Sequence, residues 1–113
     1  MVNDLKKINT IKGYENVSPI YWVTKDGEIL SEYKGMKPLK QKITRPTRKS
    51  RNRYYEVCLM LNDGSKMYRK THRIVASAFV DGDNSLEVNH IDEDGCNNHY
   101  TNLEWVTSKE NSR

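Results

Sequence analysis

Residues 86–111 alternate order-forming and order-breaking stretches so sharply that one local topology fits them. Leu86-Glu87-Val88 is a short β-prone run, and Leu103-Glu104-Trp105-Val106 mixes aromatic and β-branched residues in the same way, so each predicts a strand. Residues 92–98 between them are dense in Asp, Asn and Gly, whose side chains and backbone freedom favour turns. Thr107-Ser108-Lys109-Glu110 has the T-x-x-E spacing of a capping box, in which the Thr hydroxyl and the Glu carboxylate satisfy the first free amides of a helix. That helix starts at Ser108 and carries Asn111. The order is strand, loop, strand, helix, with Asn89 and His90 delivered at the end of the first strand.

Upstream the pattern changes to hairpins. Ile20-Tyr21-Trp22-Val23-Thr24 is β-prone, Lys25-Asp26-Gly27 turns it, and Glu28-Ile29-Leu30-Ser31 returns antiparallel. A second hairpin follows: Tyr55, Val57, Leu59 and Leu61 alternate onto one face, Asn62-Asp63-Gly64-Ser65 turns, and residues 66–70 return. Residues 39–53 lie between the hairpins and keep no single periodicity, which predicts a mobile loop or extended arm. Thr71 is placed to cap a helix over residues 72–79, where Ile74, Val75, Ala78 and Phe79 recur at helical spacing. The fold class is therefore α+β, with antiparallel β-hairpins and a short helix preceding the strand–loop–strand–helix unit. Residues 1–70 read as a basic β-hairpin region and residues 71–113 as the helix plus that unit, together one compact body.

At 113 residues, 35% hydrophobic and 30% charged, the chain has room for one modest core. Its charge is divided. Residues 1–80 hold 17 Lys and Arg against 7 Asp and Glu, a net of +10, whereas residues 81–113 hold 2 against 8, a net of −6. A basic front suits a polyanion, because neutralised phosphates release counterions, and a tail of carboxylates and carboxamides suits a hard cation. Cys58 and Cys96 are far apart with no C-x-x-C pair, so neither a disulfide scaffold nor a structural zinc site is indicated. No stretch has the apolar length of a membrane span, and the first residues lack a secretory core, so a cytoplasmic protein is expected.

The run V-N-H-I-D-E-D-G-C-N-N-H-Y-T-N-L-E-W-V-T-S-K-E-N, residues 88–111, resembles the ββα-metal core of phage-type HNH homing endonucleases. Carried over position by position, the resemblance implies His90 as general base, Asn89 and Asn111 as oxygen ligands of a divalent ion, and Asn102 as the brace of the loop. It implies an α+β fold ending in a ββα-metal finger and a metal-dependent endonuclease that hydrolyses DNA phosphodiester bonds, either site-preferring or nicking. A phage-encoded protein acting in a bacterial host fits it. Carboxamide oxygens leave most of a cation's shell to water and phosphate, as Mg²⁺ prefers; Mn²⁺ is expected to substitute. Neutral imidazole can take a proton from water at physiological pH without binding the metal. The imidazole and the two carbonyls are expected to converge on one ion. Many relatives resemble H-I-D-G-D followed by a basic residue, whereas here Glu93 takes the Gly slot and Gly95 the basic one, which removes a phosphate contact. Two residues follow Asn111, and a helix so short nucleates poorly alone, so metal or DNA is expected to order it.

The hairpins, the stretch Ile11-Lys12-Gly13-Tyr14-Glu15 and the helix of Arg73 are similar to the DNA-binding module that precedes this core. The partner expected is double-stranded DNA, gripped at phosphates by Lys40, Lys42, Arg45, Arg48, Lys49, Arg51 and Arg53 of the arm and by Arg73, with a two-stranded ribbon in the major groove. Tyr54 and Tyr55 are read either as base-stacking or as core, and His72 either as core support or as a DNA contact. Asp92 and Asp94 are read as turn residues or outer metal partners; Asn97 and Asn98 close the loop onto backbone. A monomer is expected, with a dimer as the variant that cuts both strands. The alternatives are an HNH-scaffold DNA-binding or inhibitory protein without useful catalysis, and a small protein-binding domain with an idle arm.

Overall fold

The computed structural model describes residues 4–46 and 52–111. One sheet runs β1 (Leu5–Lys7), β2 (Tyr21–Thr24), β3 (Ile29–Ser31) and β4 (Lys37–Pro38), antiparallel and in chain order. Its centre is the first hairpin expected from the sequence, with Val23 opposite Ile29 and Tyr21 opposite Ser31. Tyr21, Val23 and Ile29 are buried while Trp22 and Leu30 are only half-buried, the alternation of a sheet with one core face. Gly27 closes the turn at a φ of 92°, and a Cβ there would stand 2.8 Å from the Asn98 Cβ. Glycine alone meets both conditions.

The second sheet is β5 (Lys42–Ile43), β6 (Tyr55–Met60) and β7 (Lys66–Lys70). Strands β6 and β7 are the second hairpin, with Cys58 opposite Tyr68 and Leu59 opposite Met67. Residues 39–53, expected as a mobile loop or extended arm, are extended and paired over β5. Lys42 pairs with Glu56 and Ile43 with Tyr55, and the Leu39 amide donates to the Ile29 carbonyl at 2.7 Å. Backbone pairing along an open strand edge asks for no side-chain periodicity, so no pattern announces it. The arm proper leaves the sheet where the Thr44 amide meets the Tyr54 carbonyl at 2.8 Å and the Tyr54 amide returns to Thr44 Oγ1 at 3.0 Å. Arg48, Lys49 and Arg51 lie outside the described residues.

The third unit is the hairpin β8 (Glu87–His90) and β9 (Leu103–Val106), followed by α2 (Ser108–Asn111). The capping box forms as expected: the Thr107 amide donates to Glu110 Oε1 at 2.9 Å and the Glu110 amide to Thr107 Oγ1 at 3.2 Å. Helix α1 (Thr71–Phe79) touches strands of all three sheets, and its Ile74, Val75 and Ala76 are fully buried. Thr71 is not its cap. Strand β7 runs straight into α1, so Lys70 occupies the cap position without a side-chain bond, and the buried Thr71 hydroxyl donates to Gln41 Oε1 instead. Ile8, Ile29, Leu59 and Ile74 are buried completely. Each such side chain stabilises by about 1.5–3 kcal/mol, which joins sheets too small to stand alone. No helix among the described residues is long and apolar enough to cross a membrane.

Candidate active site

Strand β8 sends its side chains to alternate faces. Val88 and His90 turn into the core and are buried, while Glu87 and Asn89 are half-buried on the other face. Helix α2 rests on that outer face, with Ser108 Oγ bonded to Glu87 Oε2.

His90 is held from several sides and keeps 5% of its surface exposed. Its Nε2 lies 2.9 Å from Oδ1 of Asn98, which is itself buried. The His72 ring meets it edge-on at 4.7 Å between centroids, and Tyr54 lies at 5.7 Å. Tyr54 and His72 are 5.2 Å apart, so the three rings form one cluster. Burial pushes the His72 pKa down to about 3, helped by His90, Arg73 and Lys70, and keeps it neutral at ordinary pH. Its buried Nδ1 has no hydrogen-bond partner among the described residues.

The loop between β8 and β9 is organised by Asn102 and Asp92. Asn102 Oδ1 accepts from the Asp92 amide at 3.0 Å, and its Nδ2 donates to Asp92 Oδ1 and to the Asn97 carbonyl, both at 2.9 Å. Every atom of that carboxamide is thus used across the loop. Bonds from the Asn97 side chain, the Asp94 amide and the Asn102 side chain hold the Asp92 carboxyl below the usual carboxylate range. Glu93 sits at a φ of 65°, the left-handed region that favours glycine, which is the physical meaning of the Gly slot it fills.

Asn89 faces Glu104 across the ladder, and its Nδ2 donates to Glu104 Oε2 at 3.2 Å. That bond engages the nitrogen end of the carboxamide and orients Oδ1 as an oxygen donor. A carboxamide oxygen beside a carboxylate fits a hard divalent cation. Asn111 stands on α2, which packs on this face, though its side chain lies outside what is described. Among the described residues no three His, Cys, Asp or Glu side chains group as metal ligands, so a cation would depend on the carboxamides. His90 and Asn89, as neighbours on β8, leave the strand on opposite faces.

Lys40, Lys42, Arg45 and Arg53 are exposed. Arg73 is turned inward: its guanidinium donates to the Leu86 and Asn84 carbonyls at 3.0 and 2.9 Å and lies over the Trp105 ring. These two carbonyls, on half-buried residues, take donors that its assignment to a phosphate would need. Sequence reasoning missed the contact of Asn98 with His90, the ring pair Tyr54 and His72, and Glu104. Glu104 alone left a signal, as the cross-strand neighbour of Asn89. Asn98 is one of several Asn in a turn-rich loop, and nothing local sets it apart.

Residues 69–113 match the model of a family described as HNH endonuclease. The chain is 37% identical over 102 residues to the DNA endonuclease I-HmuI of Bacillus phage SP01, a match that covers 89% of this chain and 52% of that one. It is 38% identical over 92 residues to an uncharacterized HNH endonuclease of Acanthamoeba polyphaga mimivirus, covering 80% of this chain and 26% of the other. Among solved structures it is similar to one titled as DNA binding and cleavage by the HNH homing endonuclease I-HmuI, with a TM-score of 0.71 and 32% identity over 95% of this chain and 54% of that one. The chain spans about half the length, or less, of the curated relatives it matches.

Proposed function

We propose that this chain, which belongs to the HNH endonuclease family, works as a divalent-cation-dependent enzyme that hydrolyses phosphodiester bonds of double-stranded DNA one strand at a time. The observation that carries the mechanism is the 2.9 Å contact between His90 Nε2 and Asn98 Oδ1. A carboxamide oxygen accepts, so Nε2 keeps the ring proton and the lone pair of the neutral imidazole sits on Nδ1. His90 Nδ1 takes a proton from the attacking water as its oxygen bonds to phosphorus and the bond to the 3′ oxygen breaks. Asn98 holds the tautomer that makes this possible.

Asn89, with Glu104 beside it, and Asn111 would hold the cation. Mg²⁺ is the ion proposed, with Mn²⁺ as its substitute. When bound, it supplies charge stabilisation at a phosphoryl oxygen and at the departing oxygen. In-line displacement puts the attacking and leaving oxygens on opposite sides of phosphorus, so it needs the base and the cation to be separate groups, which His90 and Asn89 would supply at the end of β8. Asn102 keeps the loop beyond His90 in one conformation. The exposed Lys40, Lys42, Arg45 and Arg53 would bind phosphates flanking the cut, and one active site per chain gives one nick per binding event.

The test is supercoiled plasmid with Mg²⁺. Relaxation should disappear in His90→Ala and with chelator, and persist in Cys58→Ser, whose thiol is exposed and far from the site in sequence. Undiminished cutting by His90→Ala refutes the mechanism. Binding indifferent to chelator, with no cleavage at any Mn²⁺ level, would return the idle HNH-scaffold reading.

A further inference from the structure

The basic arm and the general base share a joint. The arm's root is the pair Arg53 and Tyr54, and both touch the site. Gly95 lies so close to it that a Cβ there would stand 2.3 Å from the Arg53 carbonyl oxygen and 2.9 Å from the Tyr54 ring. Cys96 Sγ contacts the same carbonyl at 3.5 Å. On its other side the Tyr54 ring packs on His90 and on His72, at 5.7 and 5.2 Å. The backbone of Tyr54 is tied to Thr44, so the ring is carried by the strand pair from which the arm emerges.

The geometry points to Tyr54 as a positioning residue: with Asn98 and His72 it completes the cage around His90, and it makes the seat of the base depend on the root of the DNA-binding arm. Asn98 fixes one nitrogen of the imidazole, but a single hydrogen bond leaves the ring free to pivot about it. Flat rings packed on it remove that freedom. Among the described residues, Tyr54 is the one such ring that does not sit on the nuclease helix or hairpin. The absent side chain at residue 95 follows from the same joint, because the space a Cβ would take is filled by the arm's backbone. The inference rests on the nuclease reading above for its kinetic part only.

Its test combines kinetics with spectroscopy. In metal-free, DNA-free protein the His90 Nε2–H should give a protected imidazole resonance in ¹H–¹⁵N spectra, identified by its loss in His90→Ala. Tyr54→Ala should broaden that signal by faster exchange, while Tyr54→Phe, which keeps the ring, should restore it. With DNA and Mg²⁺, Tyr54→Ala should lower kcat about 10- to 100-fold, the range expected for a displaced catalytic group. KM and salt dependence should stay within about twofold, and Tyr54→Phe should recover kcat to within about threefold. Should Tyr54→Ala fail to fold, Gly95→Ala probes the joint from the other side, its methyl pushing the root away with Tyr54 intact, and the same loss of signal and kcat is expected. The inference is overturned if Tyr54→Ala raises KM and alters the salt slope with kcat unchanged, which makes Tyr54 a base-stacking DNA contact. An unchanged His90 signal overturns it too. Wild-type cutting by His90→Ala would instead sink the nuclease reading, and the resonance would still report whether Tyr54 holds the ring.

Discussion

His72 makes acid stability a direct readout of the ring cluster. Its pKa is pushed from 6.5 down to about 3 by burial, so the folded state stays unprotonated there while an unfolded chain takes up a proton near pH 6.5. Between those limits the unfolded state binds more protons, and stability falls as pH falls. The slope is about 1.4 kcal/mol per pH unit, so lowering the pH to about 4.5 costs about 3 kcal/mol, a large share of the 5–15 kcal/mol typical of a domain. His72→Phe keeps a ring against Tyr54 and His90 but cannot titrate, and it removes the unpaired Nδ1. The variant should match or exceed the wild type at neutral pH. Its advantage should then widen by about 3 kcal/mol, on the order of a hundredfold in the unfolding equilibrium, at about pH 4.5. Urea unfolding followed by tryptophan fluorescence at the two pH values measures this. Parallel losses in wild type and variant would show that protonation of His72 is not what acid works on. The depressed Asp92 carboxyl acts in the same direction at lower pH and is common to both proteins, so it cancels in the comparison.

Glu93→Gly should raise the melting temperature by about 2–5 °C, since a left-handed backbone costs a non-glycine residue about 1–2 kcal/mol and the added chain entropy returns only part of that; a lower midpoint in calorimetry contradicts it. Thr107→Ala should remove the capping box at a local cost of about 1 kcal/mol, seen as roughly fivefold faster amide exchange in α2 with the rest of the molecule unchanged. Replacing Lys40, Lys42, Arg45 and Arg53 with Gln should flatten the slope of log affinity for duplex DNA against log salt by about 3 to 4. An unchanged slope in a filter-binding titration would move the phosphate contacts elsewhere and revive the reading of an idle arm.

What the sequence determined by itself was the local order. The β-prone runs of β2 and β3, the alternation of β6, the turn residues that close each hairpin and the T-x-x-E box of α2 depend on neighbours within a few positions, and each formed where the residues demanded. The Asn102 brace belongs to the same class, because its partners Asp92 and Asn97 lie within one loop. Tertiary structure decided the partners of residues far apart in the chain. Packing of three small sheets around α1 brought Tyr54 and His72 onto His90. It also pulled Thr71 to Gln41 and turned Arg73 toward Leu86 and Asn84. Periodicity states which face a side chain leaves by, but a hydrogen bond or a ring contact needs a second group at a set distance, and that distance exists only once the sheets have closed on the helix.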